Sequence, residues 1–299
     1  MDRKQYDLFM DTVTNYLKAS GAPPYKIDDG VVLFTEGAAL GFEQMGLLNL
    51  AQVCAGSEPE EYPERVAVHF ESFKKSADLF KSLDDDVKDF DKIKDYLGLR
   101  LQGGDYTEKV NDRAVFRKIA EDLYAHLVFD LPDTIRSVHP DEAAAWDAPE
   151  DDIFELAKAN IRRNYVSEKR WVEFKESGFW MIFGDNFFVP NIILDLEENE
   201  DLLGPQGAIV GAPHRHTALI LPIRTLEVMA VIGGLMPALS KMHEEGPGSI
   251  SPQMYWYKDG RFVTLPYVVK DDKIEFHSPE VFTEMLNELP KPGDAAIKN

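Results

Sequence analysis

The segment from Leu226 to Leu239 constrains the fold more than any other part of the chain, because nearly all of its residues are apolar. A helix that crosses a membrane needs about 20 such residues, so this segment is too short to span a bilayer. It predicts instead a helix that is buried on most sides in a protein core, with Met229 and Leu235 among the core residues. Pro237 lacks the N–H that would bond the Gly233 carbonyl, so a kink or break near Gly233 is expected.

Short apolar runs separated by turn residues predict antiparallel strands. Met254–Tyr257 and Arg261–Thr264 flank Lys258-Asp259-Gly260, a strong hairpin signal. Two further runs, Ala208–Ala212 and Thr217–Leu221, are so close in sequence that antiparallel pairing is favoured. Other strands are expected at 31–34 and 39–42 around Glu36-Gly37, at 99–102, at 179–183 and in a second hairpin within 267–276. The run from Val115 to Phe129 fits a helix at its start and a strand at its end.

Capping residues and apolar spacing predict the helices. Asp2 with Gln5 three residues later resembles a capping box and predicts a helix over 3–19. Further helices are expected at about 47–55, from Pro63, over 151–163, from Pro190 to about Glu200, and after Ser278-Pro279. These elements predict an α+β fold with helices packed on largely antiparallel sheets in two lobes. We expect a mainly helical lobe with a small hairpin at 1–98, an α+β domain at 99–289 and a flexible tail at 290–299.

The charge of the chain excludes several classes of partner. It carries 53 acidic and 32 basic side chains, a formal net charge of -21. Such a field repels polyanions, so neither nucleic acid nor an anionic membrane is an expected partner. The single cysteine, Cys54, cannot form an internal disulfide, and the charged start of the chain lacks the apolar segment of a signal peptide. A cytoplasmic protein is therefore expected.

The segment Pro213-His214-Arg215-His216 is the strongest candidate for a site, since the usual phosphate-binding and nucleophile motifs are absent. Two histidines one residue apart point the same way on a strand and can supply two nitrogen ligands to a metal. Asp185 and Asn186, after the predicted strand at 179–183, are candidate partners. A turn after the proline fits equally well and would splay the rings. We predict no metal and no cofactor, and we retain His214, His216, Asp185 and Asn186 as ligand-binding candidates.

Four features between about Leu99 and Pro266 form a pattern: Glu155–Arg162, the aromatic strand at 179–183, the run from Gly207 to His214, and the long apolar helix before an aromatic hairpin. In this pattern the chain resembles the bacterial YtpQ-like family. The resemblance implies a cytosolic bacterial protein, and it supplies no catalytic residues because the family's biochemical function is not established. The Pro213-His214 pair matches a family feature. His216 departs from the pattern, since an acidic residue is more typical there, and this weakens the two-histidine metal site.

Two functions follow from these features. The first is a non-catalytic binding or adaptor protein whose acidic surface meets a basic protein partner, because complementary charge steers encounter. An immunity protein that neutralises a basic toxin is one form of it. The alternative is an enzyme, for example a hydrolase, that uses a cleft around His214 with Asp185 or a nearby carboxylate. A deep pocket that contains His214 would favour the enzyme.

Overall fold

The computed structural model describes residues 1–28, 30–35, 44–83, 86–131, 134–174, 177–270 and 273–290. The predicted α+β class with largely antiparallel sheets is confirmed. Apart from Pro290, the predicted tail lies outside the described residues, as does the predicted strand at 39–42.

The chain forms two compact units. The first contains Met1–Tyr96, Phe129–Arg136 and Ala144–Asp147. The second contains Leu97–Val128, Ser137–Ala143 and the chain from Ala148 onward. The first unit is therefore discontinuous in sequence.

Three helices and a small sheet form the core of the first unit. In chain order its elements are α1 (Arg3–Ala19), β1 (Tyr25–Asp28), β2 (Val31–Phe34), β3 (Gln44–Gly46), α2 (Leu48–Ala55), a 3₁₀ turn (Pro59–Glu61), α3 (Tyr62–Leu83), α4 (Phe90–Ile93) and a second 3₁₀ turn (Lys94–Tyr96). The predicted capping box of α1 is present, because the Asp2 carboxylate accepts from the Gln5 N–H and the Gln5 side chain accepts from the Asp2 N–H, both at 2.9 Å. Phe9, Phe70 and Tyr62 are fully buried in this core.

The rest of the chain is richer in strands. Its elements are β4 (Leu97–Gln102), α5 (Gly104–Val110), a 3₁₀ turn (Asn111–Arg113), β5 (Phe116–Ala120), β6 (Leu123–Leu131), β7 (Thr134–Ser137), α6 (Pro140–Ala143), α7 (Glu150–Asn164), β8 (Glu168–Phe174), β9 (Ser177–Phe183), two 3₁₀ segments (Val189–Glu198 and Glu200–Leu202), β10 (Ala208–His214), β11 (Thr217–Pro222), α8 (Val228–Glu245), β12 (Met254–Lys258), β13 (Arg261–Leu265), β14 (Tyr267–Lys270), β15 (Lys273–Phe276) and α9 (Glu280–Glu288). The ambiguous run at 115–129 thus forms strands rather than a helix.

A six-stranded antiparallel sheet organises the second unit, in the order β13-β12-β10-β11-β9-β8. Successive residues of a strand face opposite sides, so Ile209 packs against α8 and α9, whereas Val210 packs against the 3₁₀ segment Val189–Glu198. The predicted hairpin at 254–264 is confirmed, with Asp259 and Gly260 both at positive φ in its turn. Each face of the sheet therefore has a separate core.

Helix α8 runs from Val228 to Glu245 through Pro237, so the helix does not break near Gly233. The Gly233 residue is exposed, so its unbonded carbonyl can accept from water. Only one face of α8 is buried, rather than most of its surface as predicted. Leu235 is 5% exposed and belongs to the core, but Met229 is 38% exposed. The assignment of Met229 to the core is therefore wrong.

The segment predicted as a helix from Pro190 is a 3₁₀ segment instead. It bends at Asp195, whose backbone angles (φ -119°, ψ 25°) are not helical. The bend places the buried carboxylate of Asp195 beside α7, next to the core on the Val210 face of the sheet.

Candidate functional site

The Pro213–His216 segment lies at the end of the β10–β11 hairpin. The two strands pair antiparallel as predicted, with an irregular register between Gly211 and His214. His214 ends β10, and the next two residues form the turn. The chain after α8 runs beside this turn, because the Ile250 N–H donates to the Pro213 carbonyl at 2.9 Å and the Arg215 N–H donates to the Gly248 carbonyl at 3.1 Å.

The two histidine rings do not converge on a common point. Their centroids are 6.4 Å apart and their planes are tilted by 55°. His214 Nδ1 accepts from the backbone N–H of His216 at 3.3 Å. His216 Nε2 accepts from Arg215 Nε at 3.0 Å, which leaves Nδ1 to donate to the Gly184 carbonyl, also at 3.0 Å. Both nitrogens of His216 are therefore engaged within the protein.

Asp185 and Asn186 lie next to His216, because β9 pairs with β11 and Phe183 is opposite Thr217. The Gly184 N–H donates to the His216 carbonyl at 3.3 Å, so the loop after β9 is fixed to the turn. The Asn186 side chain accepts from the Phe188 N–H at 2.9 Å and donates to the Val166 carbonyl at 3.3 Å. Asn186 thus stabilises its loop, while the Asp185 carboxylate acts on His216 through its charge alone.

Both histidines are neutral at pH 7. Burial lowers the pKa of His214 to about 4, and the neighbouring His216, Arg215 and His243 act in the same direction. Burial and Arg215 also lower the pKa of His216, against the opposing effect of Gly184 and Asp185. Among the described residues no group of three or more His, Cys, Asp or Glu side chains could hold a metal ion.

Two arginines that approach Gly248, beside this turn, were not among the sequence-based candidates. Arg215 is 8% exposed, and its guanidinium lies 4.7 Å from the centroid of the Phe187 ring. Arg100, on β4, has a buried Nε with no hydrogen-bond partner among the described residues. Arg215 was visible in the sequence as part of the segment, but nothing in the sequence brings Arg100 to it.

Two cavities lie around the bend at Asp195, beside the core on the Val210 face of the six-stranded sheet. One has a volume of about 270 Å³ and the other about 380 Å³. Asp195 and Glu198 line both of them, and we call the pair of cavities the Asp195 cleft. The first cavity also has an aromatic wall made of Phe154, Tyr257 and Phe262. Sequence reasoning missed this cleft, because it depends on where the 3₁₀ segment bends.

Acidic and basic side chains alternate along the Asp195 cleft. Asp195 lies 3.1 Å from Arg162 and 3.9 Å from Lys158. Burial raises the pKa of Asp195, although these two cations oppose the shift. Glu197 accepts from the Tyr257 hydroxyl at 3.0 Å, and burial together with this carboxylate raises the pKa of Tyr257 to about 12. The cleft is thus a charged surface whose lining includes the buried carboxylate of Asp195.

Comparison with known proteins identifies no relative. No family model, curated protein or solved structure matches the chain. The resemblance to the YtpQ-like family stays a prediction. None of the helices within the described ranges is long and apolar enough to cross a membrane.

Proposed function

We propose that the protein is a cytoplasmic, non-catalytic binding protein that receives a basic segment of a protein partner in the Asp195 cleft. The observation that carries the proposal is the shared lining of the two cavities, since Asp195 and Glu198 belong to the lining of both. A partner that inserts two cationic side chains would place one on each side of this pair. Complementary charge at such a site raises the rate of association and selects against acidic partners.

Carboxylates and cations are equal in number in the lining of the cleft. The four carboxylates are Glu155, Asp195, Glu197 and Glu198, and the four cations are Arg117, Lys158, Arg162 and Lys169. Three exposed carboxylates outside the lining, Glu150, Asp151 and Asp201, pair with Arg117 and Lys169. Because these outer carboxylates offset Arg117 and Lys169, a cationic partner can pair with the exposed Glu197 and Glu198 without displacing those ion pairs.

The aromatic wall of the first cavity suits the same kind of partner. Arg117 already stacks on this wall, with its guanidinium carbon 4.0 Å from the centroid of the Phe154 ring. A guanidinium over an aromatic face contributes about 0.5–1 kcal/mol at exposed sites and more when water is excluded. Tyr257 and Phe262, whose ring centroids are 4.9 Å apart, offer a second such surface. An arginine-rich segment is the partner chemistry that fits best.

Binding of a fluorescent nine-arginine peptide tests the proposal. We expect fluorescence anisotropy to show saturable binding that weakens steeply between 50 and 300 mM salt, since exposed charges are screened within about 10 Å at 0.1 M. The double variant Glu197→Gln/Glu198→Gln should weaken the affinity about tenfold, at roughly 0.5–1 kcal/mol for each lost charge pair.

The matched control is Glu280→Gln/Glu284→Gln on α9. These two glutamates are also exposed, and their removal changes the net charge equally, but α9 packs on the opposite face of the sheet. An equal loss of affinity in both double variants would show that the peptide senses only the overall charge, and the cleft would then be rejected as the binding site.

An immunity protein directed against a basic toxin is one specific form of this proposal. The alternative, a hydrolase that uses His214, stays a prediction. In the described part of the chain no serine, cysteine or carboxylate side chain forms a hydrogen bond with His214. The binding function is therefore the better supported of the two.

A further inference from the structure

Arg100 and Arg215 lie close together in the second unit, and no carboxylate among the described residues pairs with either of them. A β-carbon added at Gly248 would lie 2.8 Å from Cδ of Arg215 and 3.4 Å from Nη2 of Arg100, so the two side chains meet at this glycine. Within the described ranges neither arginine has a carboxylate within 4.0 Å. The Arg215 Nε donates to His216, but its terminal nitrogens have no acceptor among the described residues.

Such an arrangement is costly unless something compensates for it. Buried charges in proteins are normally paired, because removing an ion from water costs several kcal/mol that only a partner charge offsets. Here two like charges also repel each other. Burial lowers the pKa of Arg100, and burial together with Arg100 lowers the pKa of Arg215 to about 10. Arginine side chains keep their proton in proteins, so both are cations at pH 7. The nearby His126 and His214 are neutral and supply no negative charge.

The positions of both arginines are fixed by the fold. Two buried asparagines hold β4: Asn160 donates to the Leu97 carbonyl at 2.9 Å, and Asn191 donates to the Leu99 carbonyl at 2.6 Å. Arg215 is held by its backbone bond to Gly248 and by stacking on Phe187. The guanidinium groups are thus placed before any ligand arrives, which reduces the entropy cost of binding.

The terminal nitrogens of the two arginines reach solvent. Apart from Arg100 Nε, no nitrogen of either side chain is among the buried polar atoms of the described residues that lack a hydrogen-bond partner. Gly248 is half-buried and has φ +67°, a conformation that favours glycine. An added β-carbon there would lie 2.8 Å from Cδ of Arg215, so the side chains pack directly against this backbone and a ligand approaches the terminal nitrogens from the solvent side.

We propose that Arg100 and Arg215 form a binding site for the phosphate group of a small molecule. Arginine presents a planar fork of donors that matches phosphate oxygens, and a tetrahedral phosphate can accept from two forks on different sides. A phosphate monoester carries between -1.5 and -2 charges at pH 7 by general principle, about enough to balance two guanidinium groups, whereas a carboxylate balances only one. This site is separate from the Asp195 cleft and does not depend on the proposed protein partner.

Equilibrium dialysis of the full chain with radiolabelled inorganic phosphate, at constant ionic strength, is the direct measurement. We expect one equivalent of phosphate to bind saturably. Unlabelled ribose 5-phosphate distinguishes the source of the group: stronger competition than by inorganic phosphate indicates a phosphate monoester as the ligand, and weaker competition indicates free phosphate. Ribose and acetate should not compete. Competition by acetate as strong as that by phosphate would overturn the assignment of the ligand class.

Variants locate the bound phosphate. Arg100→Gln and Arg215→Gln should each weaken binding at least tenfold, while Arg261→Gln, which removes an exposed arginine of β13, should leave it unchanged. If circular dichroism shows that a glutamine variant is unfolded, the corresponding lysine variant keeps the charge but loses the donor fork and should still weaken binding. Uptake below about a tenth of an equivalent by the unaltered chain at 10 mM phosphate overturns the proposal, as does equal affinity in all three glutamine variants.

Discussion

Two adjacent glycines of α8 provide a sharp test of the packing around that helix. An added β-carbon at Gly233 would meet no heavy atom within 4 Å, whereas one at Gly234 would lie 2.4 Å from Cζ of Phe174. Gly233→Ala should therefore raise the free energy of unfolding by about 0.5–1 kcal/mol, because alanine restricts the unfolded chain and favours the helix. Gly234→Ala should gain the same free energy from the alanine, but its methyl group overpacks the Phe174 ring at a cost of about 1–3 kcal/mol. The free energies of unfolding of the two variants should therefore differ by this overpacking cost.

Urea unfolding followed by tryptophan fluorescence measures the difference. The Trp146→Phe background leaves Trp171, Trp180 and Trp256, all of them in the second unit, and Trp256 belongs to the same core as α8. Adding Phe174→Leu to Gly234→Ala should recover part of the lost stability, because it removes the ring that the new methyl group meets. Equal effects of the two alanine substitutions, or a more stable Gly234→Ala, would refute the packing of β8 against α8.

Two further measurements probe other buried positions. Leu235→Ala should lower the free energy of unfolding by about 2–5 kcal/mol, whereas Met229→Ala on the exposed face should change it by less than about 1 kcal/mol. Similar losses of stability in both variants would mean that α8 is buried on more than one face. Burial, aided by Arg100, lowers the pKa of His126 to about 3, well below the 6.5 of an unfolded histidine. Between pH 6 and 4 the unfolded chain therefore binds a proton there that the folded chain does not, so this histidine makes the free energy of unfolding fall by about 1.4 kcal/mol per pH unit as the pH is lowered. His126→Phe should reduce the slope by that amount in urea titrations at pH 6, 5 and 4, and parallel lines for the two proteins would contradict the burial of an uncharged imidazole.

The sequence predicted those elements whose signals are local. The capping box of α1 and the Asp259-Gly260 turn each depend on a few neighbouring residues, and both formed where expected. The exposed side of α8 was not predictable, because a segment that is apolar at almost every position has no periodicity to mark its buried face. The bend at Asp195 depends in the same way on tertiary packing rather than on local propensity.

The candidate sites show the same limit. The sequence singled out His214 and His216, and the structure has Asp185 close to His216. It could not pair Arg100 with Arg215, because an arginine inside a strand is ordinarily a solvent-facing residue and the two lie far apart in the chain. The cavities around Asp195 were equally invisible, since their walls come from α7, β12, β13 and the 3₁₀ segment together.

The discontinuity of the first unit has a consequence for synthesis on the ribosome. The indole of Trp146 donates to the Val87 carbonyl at 2.9 Å, and its ring lies 5.8 Å from that of Phe90 and 6.3 Å from that of Phe129, centroid to centroid. Chains usually fold domain by domain from the N-terminus as they emerge. Here the N-terminal unit cannot form these contacts until Trp146 has left the exit tunnel, by which time β4, β5 and all of β6 have already emerged. The two units must therefore share a period of incomplete folding, during which apolar surface of both is open to chaperones.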